Sequence, residues 1–153
     1  MMGNKLLFIF MFYGFGASAR CPNHWIRYSN NCYLFVTRYP MEWIDAMTFC
    51  KAYGAKLAEI KSSSVNYFLK HEARRLTRGS GRYWLGAIDI FSEGVWKWTS
   101  SNTRVYYSNW GRGEPNNVGS KGEHCAQLFS SHKFAWNDGR CHERHNFICQ
   151  KSA

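Results

Sequence analysis

The sequence predicts an α+β fold in which two helices precede a set of short strands within one domain. The first observation is length, since 153 residues without a Pro/Ser-rich linker, an internal repeat or a charge block suit a single domain. The second is a change near residue 82 from helical spacing of apolar residues to short aromatic and β-branched segments. The third is an even count of six cysteines, all after residue 20, which indicates a cross-linked domain.

Residues 1–19 have the pattern of a secretory signal peptide. Lys5 precedes an apolar run over 6–15, and small residues follow at 17–19. A membrane anchor is the alternative, but this run has about half of the roughly 20 residues that a span needs. We therefore expect cleavage after residue 19 and a secreted domain of residues 20–153. Loss of Lys5 lowers the formal net charge from +10 to +9.

Two helices are expected before residue 82. The first covers 42–53 and is followed by Gly54 as a stop signal. Its apolar positions are Trp43, Ala46, Met47, Cys50 and Tyr53. The second begins at residues 62–64, where a serine can cap the helix, and ends near Arg75. Its core-facing residues are expected to be Val65, Phe68, Leu69 and Leu76.

Strands are expected after residue 82, in segments separated by Gly, Asn or Ser turns. The segments are 83–88, 95–99, 125–129, 134–137 and 147–150. Between 108 and 122 the sequence SNWGRGEPNNVGSKG has almost nothing to bury. A long loop in a compact domain is usually either functional or disordered, so this loop is the first candidate for a functional site.

The cysteines predict a disulfide framework. They are Cys21, Cys32, Cys50, Cys125, Cys141 and Cys149. In an oxidising compartment they form three disulfides, and fifteen pairings are open from the sequence alone. A zinc site at Cys141-His142-Glu143-Arg144-His145 and Cys149 is the alternative. Thiolate ligands need reducing conditions and a second Cys-x-x-Cys pair is missing, so disulfides are favoured.

Five side chains with oxygen ligands occur in and after the long loop. They are Glu114, Asn116, Glu123, Asn137 and Asp138. Carboxylates and amides at this density suit Ca²⁺, which takes about six to eight oxygen ligands, and the residues show no bias towards a transition metal. A cis bond before Pro115 would turn its neighbours towards one point. The alternative is a polar surface loop with ordinary turn chemistry.

Short motifs occur in a fixed order along nearly the whole mature chain. They are CPNHW at 21–25, Trp43-x-x-Ala46-x-x-x-Cys50, Gly54-Ala55-x-Leu57-Ala58-x-Ile60, Trp84-Leu85-Gly86, Trp96-x-Trp98, Asn109-Trp110, Glu114-Pro115-Asn116, Trp136-Asn137-Asp138 and Cys149. Together they resemble the long-form C-type lectin-like domain, although Trp-Leu-Gly replaces the usual Trp-Ile-Gly. The stretch GAIDIFSEGVWKW is similar to perlucin-type secreted lectins.

The resemblance implies a double-loop fold with two helices, small antiparallel sheets and a long binding loop. It also implies the disulfides Cys21–Cys32, Cys50–Cys149 and Cys125–Cys141. The long Cys50–Cys149 closure is the kind expected to stabilise most in the chain-entropy model. The aromatic residues Trp84, Trp96, Trp98 and Trp110 are expected to pack in the core rather than to bind sugar.

The resemblance further implies one calcium ion as cofactor and a carbohydrate as ligand. In sugar-binding members, residues matching Glu114, Asn116, Glu123, Asn137 and Asp138 hold the ion, and two neighbouring sugar hydroxyls coordinate it. The order Glu-Pro-Asn resembles the mannose-type pattern, which covers mannose, glucose, N-acetylglucosamine and fucose. Gln-Pro-Asp goes with galactose. The same five residues are therefore expected to bind both metal and sugar.

The sequence departs from the family pattern near a second calcium site of some relatives. Asp89 and Glu93 match two of its ligands, but Asn117 and His124 stand where carboxylates are usual. Two fewer charges should weaken that site. The loop between Asn116 and Glu123 is also slightly longer than in mannose binders.

Basic side chains provide two further features. Arg112 and Lys121 flank the loop, and they either favour acidic or phosphorylated glycans or are simply solvated. A second cluster, at the end of the second helix, contains Arg74, Arg75, Arg78 and Arg82. Positive side chains there complement the helix dipole without any ligand.

Catalysis is not expected, because Gly-x-Ser-x-Gly, His-Glu-x-x-His and phosphate-loop motifs are missing and the carboxylates are better explained as calcium ligands. Nucleic-acid motifs are missing as well. Two functions remain: a calcium-dependent secreted lectin that recognises glycans such as those of microbes, or a basic extracellular-matrix or mineral-associated module. A venom-type or ice-binding relative is a minor third. With all cysteines paired, any homo-oligomer would be non-covalent.

Overall fold

The computed structural model describes residues 20–153, so the predicted signal peptide at 1–19 lies outside the described residues. The elements are β1 (Ile26–Tyr28), β2 (Asn31–Met41), α1 (Trp43–Ala52), β3 (Lys56–Leu57), α2 (Ser63–Leu76), β4 (Arg82–Ile88), β5 (Lys97–Trp98), β6 (Thr103–Arg104), β7 (Cys125–Phe129), a 3₁₀ turn (Ser130–His132), β8 (Ala135–Gly139) and β9 (His145–Ser152). None of the helices within 20–153 is long and apolar enough to cross a membrane.

Both helices form where the apolar spacing predicts them. In α2 the hydroxyl of Ser62 caps the helix by accepting a hydrogen bond from the N–H of Val65 at 3.4 Å. Leu69 is fully buried, and Val65 and Phe68 pack against the core. Leu76, expected in the core, is 39% exposed, because it is the last helical residue and the chain turns away after it. The prediction for Leu76 is therefore wrong.

The sheet begins before the helices, so the expected order of helices first and strands later is wrong. β1 and β2 form a hairpin, and β2 pairs antiparallel with β9 at the other end of the chain. The eleven residues of β2 are rich in aromatic and β-branched side chains, which is a strand signal. This pairing brings the two ends of the domain together.

Strand β4 is the centre of the sheet. It pairs parallel with β9 on one side and antiparallel with β7 and β5. β7 in turn pairs antiparallel with β8, and the remaining pairs are antiparallel as well. The α+β fold is confirmed, with the parallel β4–β9 pair as the exception to the expected antiparallel sheets. The β7–β8 hairpin carries the downstream part of the candidate site.

The tryptophans pack in the interior as expected. Trp84, Trp96 and Trp98 are buried, and the partly buried Trp110 packs against the same core. Trp136, which precedes two candidate ligands, is fully buried. Its ring centroid lies 5.5 Å from that of Trp110, in an edge-on ring contact. The aromatic core therefore lies directly beneath the long loop and supports it.

Three disulfides use every cysteine of residues 20–153, in the pairing that the resemblance implies. Cys50–Cys149 joins α1 to β9, and Cys125–Cys141 joins β7 to the segment after β8. No thiolate is left for the alternative zinc site at 141–145 and Cys149, because Cys141 and Cys149 are both oxidised.

Candidate functional site

The start of the long loop is fixed to β8. The N–H of Gly111 donates to the carbonyl of Trp136 at 2.7 Å, and the N–H of Trp136 donates to the carbonyl of Asn109 at 2.8 Å. From α2, the buried Asn66 accepts from the indole N–H of Trp136 at 2.9 Å and donates to the Asn109 side chain at 3.1 Å. The helix, the strand and the loop are thus held together immediately before the candidate ligands.

Asp138 holds the part of the loop that follows Pro115. Its carboxylate accepts the N–H of Asn116 at 3.1 Å and the N–H of Asn117 at 2.7 Å. The side chain is buried, and the Glu114–Pro115 bond is cis. Glu114 and Asn116 therefore flank a segment that is bonded directly to a third candidate ligand.

The end of the loop is closed by amide and carboxylate contacts. The N–H of Glu123 donates to Oδ1 of Asn117 at 2.7 Å. The N–H of Val118 lies 3.3 Å from Oε2 of Glu123 and 3.2 Å from Oδ1 of Asn116. These contacts return the chain towards Asp138, so Glu123 belongs to the same cluster although it lies nine positions after Glu114.

Asn137 connects the cluster to the interior. Its Oδ1 accepts from Nε2 of buried Gln127 at 2.8 Å, and its Nδ2 lies 3.5 Å from Oδ1 of Asp138. The Oε1 atom of Gln127 is buried and has no hydrogen-bond partner among residues 20–153. Turning both amides over keeps one hydrogen bond between them and directs Oδ1 of Asn137 towards the carboxylates, which is the orientation that a cation favours.

The pKa values of Glu114 and Glu123 are both raised, first by burial and then by neighbouring carboxylates. Burial raises the pKa of Glu114 to about 7, and the neighbouring carboxylates of Asp138 and Glu123 add to the increase. Burial and the charge of Asp138 also raise the pKa of Glu123 above its usual value. Such mutual repulsion is the expected state of anions gathered without a compensating charge.

Few basic side chains contact these carboxylates. Within residues 20–153 the sole basic side chain within 4.0 Å of them is His132, whose Nε2 lies 3.3 Å from Oε1 of Glu114, and an imidazole is charged only when protonated. The other oxygen of that carboxylate, Oε2, is buried and has no hydrogen-bond partner. A buried carboxylate oxygen without a partner is costly unless a cation or donor binds it. The donor set consists of hard oxygens and therefore fits Ca²⁺.

Two contacts of this site are not evident from the motifs. His132 reaches Glu114 from the turn after β7, and Gln127 holds Asn137 from inside the sheet. Neither lies at a spacing that marks a ligand. Gln127 does carry one signal, since it is a polar residue in an otherwise apolar strand segment.

Three residues at the position of the second calcium site of some relatives, Asp89, Glu93 and His124, also lie together. Nδ1 of His124 is 3.0 Å from Oδ1 of Asp89 and 3.5 Å from Oε2 of Glu93. The imidazole thus contacts both carboxylates, and Asp89 also accepts from the N–H of Gly94 at 2.8 Å. Weak calcium binding at this second site stays a prediction.

The basic cluster at the end of α2 is partly neutralised. Arg75 pairs with Glu72 at 2.7 Å. Arg82 pairs with Glu143 at 3.0 Å and lies over the ring of Phe129. These contacts agree with the interpretation that this cluster needs no ligand.

Comparison with known proteins places the fold and the site in one class. The family model described as "Lectin C-type domain" matches residues 39–151. The chain therefore belongs to the C-type lectin domain family, whose members are non-enzymatic carbohydrate binders. C-type lectin domains generally bind Ca²⁺.

Individual relatives support this membership over most of the chain. A perlucin-like protein of Mytilus galloprovincialis is 33% identical over 94% of this chain and 95% of its own length. The CD209 antigen of Homo sapiens is 38% identical over 87% of this chain, which spans about a third (31%) of that relative.

Solved structures show the same fold. The mouse scavenger receptor C-type lectin carbohydrate-recognition domain superposes with a TM-score of 0.78 at 35% identity, covering 87% of this chain and 98% of that domain. The cow CD23 carbohydrate-recognition domain, determined in the presence of a GlcNAc2Man3 oligosaccharide, gives 0.76 at 32% identity, covering 88% and 97%.

Proposed function

We propose that residues 20–153 form a secreted, calcium-dependent lectin that binds mannose-type sugars through Glu114, Asn116, Glu123, Asn137 and Asp138. One observation carries the proposal: the buried Oε2 atom of Glu114 lacks a partner while two further carboxylates lie beside it. Burying that oxygen unpaired is unfavourable, and a divalent cation would both pair it and offset the repulsion between the carboxylates.

The chain's own residues would orient the sugar. When bound, calcium would supply the charge to which two neighbouring sugar hydroxyls coordinate. A carboxylate such as Glu114 accepts a proton from a hydroxyl, whereas the amide of Asn116 donates to a hydroxyl lone pair. The order of acceptor and donor along the loop therefore selects the arrangement of hydroxyls that fits. Protons are shared and no covalent bond breaks, so the outcome is recognition.

Similarity supports the sugar class. The cow CD23 domain, which was determined with a mannose-containing oligosaccharide, shares this fold. The perlucin-like relative matches over 95% of its own length. Secretion is supported by the signal-peptide pattern over residues 1–19 and by the three disulfides, which need an oxidising compartment.

A mannose-agarose column tests the proposal. The mature protein should be retained in calcium and released by EDTA, whereas high salt in calcium should leave it bound. The Glu114→Gln variant should lose retention because the buried carboxylate is removed. Glu42→Gln is the matched control, because it removes the same charge from a side chain that makes no capping bond at α1.

The charge-based alternative gives the opposite pattern. A basic matrix or mineral-binding module would be released by salt and would ignore EDTA, because its attraction is screened by ions. Equal retention of Glu114→Gln and the wild type on the mannose column in calcium would also contradict the lectin proposal.

A further inference from the structure

We propose that a small polar pocket beside the calcium site binds a phosphate or sulfate group carried by the sugar, through Lys121 and Arg140. This inference rests on the proposed function and defines its ligand class as mannose-type glycans with a tetrahedral anionic substituent. The pocket has a volume of about 240 Å³ and is lined by Ser120, Lys121, Arg140 and His142.

The two cations of this pocket are not neutralised by an ion pair with any of residues 20–153. Within the part of the chain that the structure describes, neither the Lys121 side chain nor the Arg140 side chain makes a hydrogen bond or an ion pair. The nearby carboxylate of Glu143 is already paired with Arg82 and His145, each at 3.0 Å. The pocket therefore offers two positive charges and a serine hydroxyl, with no carboxylate among its lining residues. Charged hydrogen bonds to an oxyanion are among the stronger ones.

The pocket is adjacent to the candidate calcium ligands. Arg140 follows Asp138 by two positions, and Lys121 precedes Glu123 by two. The disulfide Cys125–Cys141 ties these two segments together. One ligand can therefore reach both places.

The loop backbone lies against the guanidinium of Arg140. Gly119 has a φ of +101°, and a Cβ added there would lie 2.7 Å from Nη2 of Arg140. The glycine therefore leaves room for the guanidinium at this edge of the pocket.

Of the two basic residues that flank the long loop, Arg112 and Lys121, one belongs to this pocket. Lys121 lines it, whereas Arg112 does not. Arg140 and His142 complete the lining from the segment after β8, so the loop alone does not form the site.

Competition for immobilised mannose tests the inference, with mannose, mannose 6-phosphate and mannose 6-sulfate as soluble competitors in calcium. A group on carbon 6 leaves the ring hydroxyls free for the calcium site. We expect at least one anionic sugar to compete about tenfold better than mannose at low salt, the effect of one charged hydrogen bond. A gain with the phosphate alone, with the sulfate alone or with both identifies the group and supports the pocket.

The variants Arg140→Gln and Lys121→Gln, made singly, should reduce the ratio of anionic to neutral affinity by at least threefold. The ratio is used because it corrects for any change in calcium affinity. Arg112→Gln is the control, since it removes one charge from the same loop outside the pocket, and its ratio should stay as in the wild type. An equal loss with Arg112→Gln would show a diffuse field and overturn the pocket.

Other outcomes separate this inference from the proposed function. If the wild type binds mannose in calcium but gains nothing from an anionic group, the pocket is overturned and the lectin stands. If the anionic sugar binds equally well in EDTA, charge alone holds it and the pocket is not part of the sugar site. If no sugar competes in calcium, both proposals fail.

Discussion

Glu114 and Asn116 lie on either side of Pro115 and differ in hydrogen-bonding capacity, since one side chain accepts and the other also donates. Asp138 holds the backbone between them through the N–H of Asn116. Asp138 thus helps to position the backbone of this segment. The side chains at 114 and 116 can therefore be exchanged without losing this backbone contact. Under the proposed function, we therefore expect these two residues to set the sugar specificity.

Exchanging Glu114→Gln together with Asn116→Asp should shift preference from mannose towards galactose. The exchange keeps one carboxylate and one amide, so the charge near the ion is unchanged, but donor and acceptor change places. A mismatched sugar then leaves polar groups unpaired, at a cost of about 1–3 kcal/mol, or roughly ten- to a hundredfold in affinity. Competition with free mannose and galactose measures the change.

Thermal melts in calcium and in EDTA are the folding control for this double variant. The two side chains are nearly isosteric with those they replace, so the calcium-dependent shift in melting temperature should remain. A variant that keeps this shift and still prefers mannose would show that the pair does not set specificity.

The stabilisation by calcium should increase with pH between about 5 and 8. In the calcium-free fold the pKa of Glu114 is raised to about 7. The folded chain therefore holds that proton more tightly than the unfolded chain, and the resulting stability is lost as pH rises through 7. Above that pH the carboxylate is ionised and binds calcium without releasing a proton.

Thermal melts with and without calcium at pH 5, 6, 7 and 8 measure this dependence, and retention on mannose should be lost near pH 4. Glu114→Gln should flatten the profile. A calcium shift that is equal at pH 5 and pH 8 would argue against carboxylate coordination.

Helix α2 supports the site as an element. It begins at Ser63, after the cap residue Ser62, and its buried Asn66 bonds to both Trp136 and the loop at Asn109. Fraying of its first turn would loosen the residue that connects helix, strand and loop. The stability of this turn therefore bears on the site as well as on the fold.

Replacing Ser62→Ala should destabilise the domain by about 1 kcal/mol, since the N–H of Val65 loses its capping acceptor. For a domain of this size the melting temperature should fall by about 4 °C. Ser63→Ala, one position later and without a capping bond, should change it little. Equal effects of the two substitutions would contradict the capping role.

At the scale of the whole molecule, the domain is closed by contacts between its two ends. Strand β9 pairs with β2, β3 and β4, and Cys149 in β9 bonds to Cys50 in α1. The long loop extends from this closed body, anchored by the Trp110–Trp136 contact. A change in the contacts that close the domain should therefore have a large effect on global stability and a smaller effect on ligand binding by the loop.

Removing the Cys50–Cys149 disulfide by paired alanine substitutions should cost more than removing Cys21–Cys32. The bonded residues are 99 positions apart in one case and 11 in the other. In the chain-entropy model the longer closure stabilises by about 2 kcal/mol more. Denaturant unfolding of the two variants measures the difference.

The wild type should show no free thiol under denaturing conditions, which serves as the reference for this comparison. Two or more thiols per chain would contradict the three-disulfide framework. Equal destabilisation by the two pairs of substitutions would show that chain closure is not the main effect of the long disulfide.

Local sequence patterns determined much of this protein, because the period of apolar residues reports the shape of one element at a time. The two helices, the Ser62 cap and the strands after residue 82 other than β6 were predictable in this way. The motifs also identified the five candidate ligands, which the structure brings close to one another. Leu76 shows the limit of such patterns, since its spacing suits the core but the helix ends before the residue is covered.

The tertiary structure alone determined the contacts between segments that are far apart in the sequence. Spacing leaves fifteen cysteine pairings open, and only the path of the chain brings Cys50 to Cys149. The parallel β4–β9 pair, His132 beside Glu114 and Arg140 beneath Gly119 likewise have no local signature. Each joins residues that are far apart along the chain. Their proximity follows from how the sheet closes, whereas a periodic pattern describes only the face that one segment presents.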